Sequence, residues 1–239
     1  MPGRQVRLQQ ITEIAERTFA FHFEKPAGFS FKAGQFISMT LIDPPQTDTK
    51  GNRRNFTLAS APSEEDLMIA TRLRESAFKQ NLKAMPIGNE VTISGPFGNL
   101  TLTDVSATAV FLTGGIGITP FRSIALQASH DHVTNSLYLF YSNRRPEDAA
   151  FLSEFQNLQK ANSKFRFIPT MTAPEKSQQS WSGETGYINE NMLKKYLHDF
   201  NIPIFYIAGP NEMVKAMVQM LSDLGVDQQR IRVEEFPGY

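Results

Sequence analysis

Four apolar runs in the second half of the chain limit its fold more than any other feature: AVFLTGG from Ala109, LYLFYSN from Leu137, FRFIPTM from Phe165 and IFYIAGP from Ile204. Strands that are apolar throughout are buried on both faces, as in a parallel sheet covered by helices. Helical stretches follow the first, second and last run: TPFRSIALQAS, DAAFLSEFQNLQK and NEMVKAMVQMLSDLG. The last sets Met213, Met217, Met220, Leu221 and Leu224 on one face and meets a C-cap glycine at Gly225. Alternation of strand and helix predicts a doubly wound α/β domain over residues 104–239.

Residues 1–103 follow another rule. TFAFHFEKP alternates Phe19, Phe21 and Phe23, the pattern of a half-buried strand. FKAGQFISMTLI, which follows a turn at Gly28, DLMIATRL and EVTISGPFG supply further strands. SAFKQNLKAM reads as a helix, with Ser76 as N-cap and an apolar stripe of Phe78, Leu82 and Met85. Many short strands with one helix predict a small antiparallel barrel. The Pro- and Gly-rich stretch DPPQTDTKGN, residues 43–52, is expected to be a mobile loop.

Composition removes several chemistries. Without cysteine there is no disulfide, thiolate metal site, cysteine nucleophile or cysteine-held iron–sulfur cluster in this sequence. Four scattered histidines (His22, His130, His132, His198) give no metal-ligand spacing, so no metal is expected. Residues 1–103 carry 12 basic and 10 acidic side chains, and residues 104–239 carry 12 and 14. Net charges of +2 and −2 offer nucleic acid or an anionic membrane no field. No apolar run approaches the roughly 20 residues of a spanning helix and the start lacks an apolar leader, so a cytoplasmic protein is the expectation.

What remains is nucleotide chemistry. In FLTGGIGITPFRS a buried strand runs into Gly114, Gly115 and Gly117, with Pro120 in the first turn of a helix. Such a turn admits a pyrophosphate to the helix N-terminus, or simply packs strand on helix. Gly209, Pro210 and Met213 in YIAGPNEMVKAM repeat the device. At a third strand end, Asn143, Arg144 and Arg145 either meet a ribose phosphate or pair with Glu147 and Asp148. Earlier, RRNFTLASAP spends Arg54, Thr57 and Ser60 on a strand where aliphatic residues are usual. Arg54 suits a phosphate, Thr57 a heteroaromatic ring edge, and Phe56 a stacking face. Ser76, the N–H groups of Ala77 to Lys79 and the Lys79 charge form a second anion-binding helix start. Together these suit a flavin dinucleotide. The alternative is a plain barrel with a surface arginine and a capped helix.

In order, RNFTLAS, RESAFKQNL, GPFG, TGGIGITPFRS, IAGPNEMV and VEEF span nearly the whole chain and resemble the ferredoxin–NADP reductase family of flavoproteins. The resemblance implies an FAD-binding antiparallel β-barrel followed by an NAD(P)-binding domain whose tail returns to the flavin. The family motif R-x-[YF]-[ST]-x-x-S falls on Arg54, Phe56, Thr57 and Ser60. By resemblance, Arg54 takes the FAD pyrophosphate, Phe56 lies against the flavin and Thr57 sits near its N5. Thr71, Arg72, Ser76, Ala77, Phe78 and Lys79 would complete the FAD site. Thr113, Gly114, Gly115, Gly117, Pro120, Asn143, Arg144, Ala208, Gly209, Pro210 and Met213 would hold NAD(P). Glu234 and Phe236 match the family's acidic residue and its flavin-covering aromatic, with Thr57 completing the catalytic group. Ala208 stands where the family usually has cysteine, Phe56 replaces the commoner tyrosine, and Tyr239 competes with Phe236 for the stacking role.

The implied activity is hydride transfer from NADPH or NADH to FAD, then single electrons to a separate carrier: a ferredoxin, a flavodoxin or an oxygenase component. Two alternatives stay open, a reductase of free flavins or quinones and a non-enzymatic redox-sensing module. Arg144 and Arg145 leave the choice of nucleotide open as well.

Overall fold

A computed structural model describes residues 3–236, which build two six-stranded sheets. The first contains β1 (Arg4–Ala15), β2 (Thr18–Phe23), β3 (Phe36–Leu41), β4 (Arg53–Thr57), β5 (Leu67–Arg72) and β6 (Glu90–Phe97). Its order is β4-β3-β6-β1-β2-β5, with every neighbouring pair antiparallel. The sheet curls until its two outer strands meet at a bridge between Leu58 and Ile69, which blunts both exposed edges. Phe21, Phe23, Ile37, Met39, Ile69 and Val91 fill the interior. Helix α1 (Ala77–Ala84) adds Phe78 and Leu82 to that core, with Ser76 as its N-cap.

The second sheet contains β7 (Ala109–Gly114), β8 (Leu137–Asn143), β9 (Phe165–Met171), β10 (Glu184–Thr185), β11 (Ile204–Gly209) and β12 (Ile231–Glu235). Its order is β10-β9-β8-β7-β11-β12, all parallel. Helices α2 (Thr119–His130), α3 (Leu152–Ala161), α4 (Glu190–Tyr196) and α5 (Asn211–Asp223) cover it. Strand alternation divides the apolar side chains between the faces. Phe111, Leu139, Phe167 and Tyr206 pack with α2 and α3, while Val110, Leu112, Phe140 and Ile207 pack with α4 and α5. The expected doubly wound arrangement follows.

Several expectations need correction. β2 is buried on both faces rather than half-buried: Phe19, Phe21 and Phe23 enter the barrel core, whereas Ala20 joins the cluster around α2. That cluster also takes Ala59, Met68 and Ala70, so the two sheets share apolar packing. β1 carries no strand signal because only Val6 and Leu8 of its 12 residues are buried. It is held by pairing, its start against β6 and the rest against β2. α3 begins at Leu152, not Asp148, because Phe151 is left-handed at φ 60° and the chain before it makes a 3-10 turn. α4 has no periodic stretch to announce it; two buried residues and an Asn189 cap hold it. The 43–52 loop, expected to be mobile, has anchors at one end: Asn52 Nδ2 donates to the Leu41 carbonyl at 2.9 Å, and Arg54 donates to the Lys50 and Gly51 carbonyls.

Candidate functional site

At the mouth of the barrel, β4, the 43–52 loop and the start of α1 converge on a cationic cradle. Arg54 Nη1 donates to the carbonyls of Lys50, Gly51 and Arg53, and its guanidinium lies 5.3 Å from the Phe78 ring centroid. Ser76 caps α1 by accepting from the Lys79 N–H at 3.5 Å. Lys79 Nζ donates to the Arg72 carbonyl at 3.0 Å. Burial, together with the neighbouring Arg74, Arg54 and Lys50 charges, pushes the Lys79 ammonium down to about 8. Crowded cations beside a helix N-terminus form a site for an anion. The Asp48 carboxylate sits there, 2.7 Å from Arg54 Nη2 and 3.5 Å from Ser76 Oγ. Its pKa is lowered chiefly by the Arg54 hydrogen bond.

Strand alternation separates the other residues of the RRNFTLAS motif. Arg54 and Phe56 share one face, where Phe56 packs on Phe78 with ring centroids 5.7 Å apart and is 9% exposed. Thr57 faces the other way and is buried, with its hydroxyl making no hydrogen bond among the described residues. An orphaned buried hydroxyl is uncommon in a folded protein. Ser60 serves the barrel: its Oγ accepts the Met68 N–H at 2.9 Å. Thr71 is buried in β5, and Arg72 reaches out of the barrel to the Asp148 carbonyl at 2.8 Å.

The parallel sheet has its switch point between β7 and β11, where strand order reverses and ligands of open α/β sheets bind. The glycine turns after these two strands lie side by side there, and the glycines differ in use. A Cβ on Gly117 would lie 2.5 Å from the Ala208 carbonyl oxygen and 2.7 Å from Gly209 Cα, so Gly117 lets the turns touch. A Cβ on Gly114 would meet the Met213 sulfur at 2.8 Å. Gly115, at φ +55°, has open space around it and is the backbone a phosphate can approach. Pro120 stands in the first turn of α2, and Pro210 immediately precedes α5.

Neighbouring strands hold Thr113, Ala208 and Glu234 in one row. Thr113 Oγ1 donates to the Ala208 carbonyl at 2.8 Å, and Ala208 is fully buried. Glu234 leads back to the barrel: a Cβ on Gly98 would lie 2.8 Å from the Phe36 ring and 3.6 Å from Glu234 Oε1. Phe36 directly opposes Thr57 on β4. Glu234 Oε2 is buried without a hydrogen bond among the described residues, and desolvation raises this carboxyl to about 7. The Phe236 N–H donates to the Gly209 carbonyl at 3.3 Å. Tyr239 lies outside the described residues. Phe36 carries no local mark as a site residue, and Gly98, the last residue of the GPFG stretch, gains its contact with Glu234 only through the last strand.

At the third strand end the pairing reading holds in part, for Arg145 with Asp148. Arg145 is bound by Asp148 at 2.9 Å and Glu16 at 2.7 Å, while Glu147 is held by Ser177 instead. Arg144 is exposed and, with Arg72, Arg145 and Lys176, lines a cavity of about 290 Å³. Asn143 is buried at the end of β8.

Residues 111–219 match the family described as the oxidoreductase NAD-binding domain. The fold is similar to that of a ferredoxin NADP+ reductase from Neisseria gonorrhoeae with bound FAD and NADP, at TM-score 0.83 and 23% identity, covering 98% of this chain and 99% of that one. The chain has the ferredoxin–NADP reductase-like fold. The FAD/NAD-binding domain of a nitric oxide dioxygenase from Vibrio cholerae has this fold too, at TM-score 0.85 and 18% identity, with 99% of both chains covered. In sequence, the chain is 34% identical over 188 residues to one component of the Na(+)-translocating NADH-quinone reductase of Pseudomonas paraeruginosa. That match takes in 77% of this chain and 44% of the relative, so the chain spans less than half of the relative's length. Among the described residues of this chain, no helix is long and apolar enough to cross a membrane.

Proposed function

We propose that the chain is an NAD(P)H-dependent flavoprotein reductase, with an FAD-binding barrel in residues 1–103 and an NAD(P)-binding domain in residues 104–239. One observation carries this reading: Glu234, in register with Thr113 and Ala208 at the switch point, reaches the Gly98–Phe36 corner beside Thr57. Two nucleotide-type sites thereby open on one place, which a hydride transfer between two stacked rings requires.

FAD, when bound, supplies the redox chemistry, accepting a hydride and releasing electrons singly. Arg54, Ser76, the N–H groups of Ala77 to Lys79 and Lys79 would hold its pyrophosphate. Thr57 would give its free hydroxyl to the edge of the ring system. Phe36 and Phe236 would exclude water from the reacting face. Glu234, whose carboxyl burial raises to about 7, would hold or release a proton there. Gly115 and the N-terminus of α2 would take the nicotinamide nucleotide's pyrophosphate. Arg144, with Lys176 behind it, is the group that would read a 2′-phosphate, since Arg145 is already bound by two carboxylates.

Electrons would leave to a separate carrier: a ferredoxin, a flavodoxin or an oxygenase component. The setting is the cytoplasm, where reduced nicotinamide nucleotides are found. The Pseudomonas relative is named for an NADH–quinone reductase, which makes NADH and a quinone the other donor and acceptor to be tried. The test is the visible spectrum of purified protein supplied with FAD, taken before and after anaerobic NADPH and then NADH. Bleaching of a bound flavin by either nucleotide supports the reading and names the donor. A protein that takes up no FAD overturns it.

A further inference from the structure

The group seated in the cationic cradle is part of the chain itself. Asp48 places one carboxylate oxygen 2.7 Å from Arg54 Nη2 and the other 3.5 Å from the Ser76 hydroxyl, at the start of α1. These are the partners a phosphate would take at a capped helix start beside an arginine. The guanidinium is divided in its use. Nη1 is anchored by the carbonyls of Lys50, Gly51 and Arg53, at 2.8, 2.9 and 2.7 Å, whereas Nη2 is given to Asp48. Removing the Asp48 contact therefore leaves Arg54 in place with one edge open.

We propose that Asp48 is an internal stand-in for the cofactor's phosphate, and that it sets flavin affinity by competing for the cradle. The proposal rests on the flavin reading above. The 43–52 loop keeps the cradle charged and assembled before the dinucleotide arrives, and Asp48 must give up Arg54 when the pyrophosphate enters. FAD is then held less tightly than the cradle alone would hold it and exchanges more readily. The Asp48 and Arg54 side chains are 29% and 19% exposed. A partly solvated pair of this kind changes a dissociation constant by up to about fivefold.

FAD titrations followed by flavin fluorescence, on wild type, Asp48→Asn and Asp48→Glu, test this. Asp48→Asn should bind FAD about two- to fivefold more tightly, and Asp48→Glu, which keeps the charge, should stay near wild type. Inorganic pyrophosphate should raise the melting temperature of Asp48→Asn more than that of wild type, a readout that needs no flavin. Equal or weaker FAD binding by Asp48→Asn overturns the competition while leaving the flavin site standing. A wild type that binds no FAD removes both, and the pyrophosphate shift then shows whether the cradle takes phosphate at all.

Discussion

Glu234 shows how much one residue's surroundings decide. Burial without a hydrogen bond to one oxygen raises its carboxyl from 4.5 to about 7. Between those values the folded protein keeps a proton that the unfolded chain has lost, so this residue's contribution to stability falls as pH rises from about 4.5 through about 7. Glu234→Gln should flatten that fall, seen as a smaller difference between urea midpoints at about pH 5 and about pH 8. Arg54→Ala removes the guanidinium that the cradle is built around, and the purified protein should lose most of its bound FAD. Normal flavin occupancy in that variant would show that the pyrophosphate is held elsewhere. Both residues stand out in the sequence by place or resemblance, but their surroundings do not. What distinguishes them is a missing hydrogen bond in one case and a shared carboxylate in the other.

Turns and helices divide the work differently from what their letters suggest. Gly114, Gly115 and Gly117 look equivalent in TGGIGIT, yet only Gly115 has open space around it. Gly117→Ala should force the β7 and β11 turns apart, costing about 2 kcal/mol as overpacking and weakening nicotinamide nucleotide binding. Gly115→Ala meets no neighbour and carries only a left-handed backbone cost of about 1 kcal/mol. Thermal melts and nucleotide titrations of the two variants separate these roles. α2 does a second job that its sequence does not show. Arg122 is buried between two elements, donating to Glu64 and the Ala59 carbonyl of the barrel and to Glu154 of α3. Ser123 Oγ donates to the Ser60 carbonyl at 2.7 Å. Arg122→Met strands two carboxylates and should lower stability by about 3 kcal/mol, measurable by urea unfolding.

At the scale of the whole molecule, the apolar cluster that begins in β7, β8 and α2 continues through Ala20, Ala59, Met68 and Ala70 of the barrel. With Arg122 and Ser123 beside it, this shared core should make unfolding one event. Trp181, the only tryptophan, belongs to the parallel-sheet half. Its fluorescence and the far-ultraviolet circular dichroism of the whole chain should therefore report the same urea midpoint. Two separated midpoints would mean that the halves unfold independently.

Sequence periodicity sufficed wherever burial is one-dimensional. Four apolar runs, three of them followed by helices, announced a doubly wound sheet, and many short strands with one helix announced a barrel, because those patterns depend on which faces of an element meet the core. Glycine turns, Ser76 and the RRNFTLAS strand were legible for the same local reason: tight turns, caps and polar strand residues depend on near neighbours. Contacts between distant segments had no such mark. β1 exists because β2 and β6 flank it, and Asp48 matters because a loop folds back onto Arg54. Phe36 and Gly98 join the site only when β12 brings Glu234 beside them. Chain closure over long separations decides such meetings, and no local spacing records it.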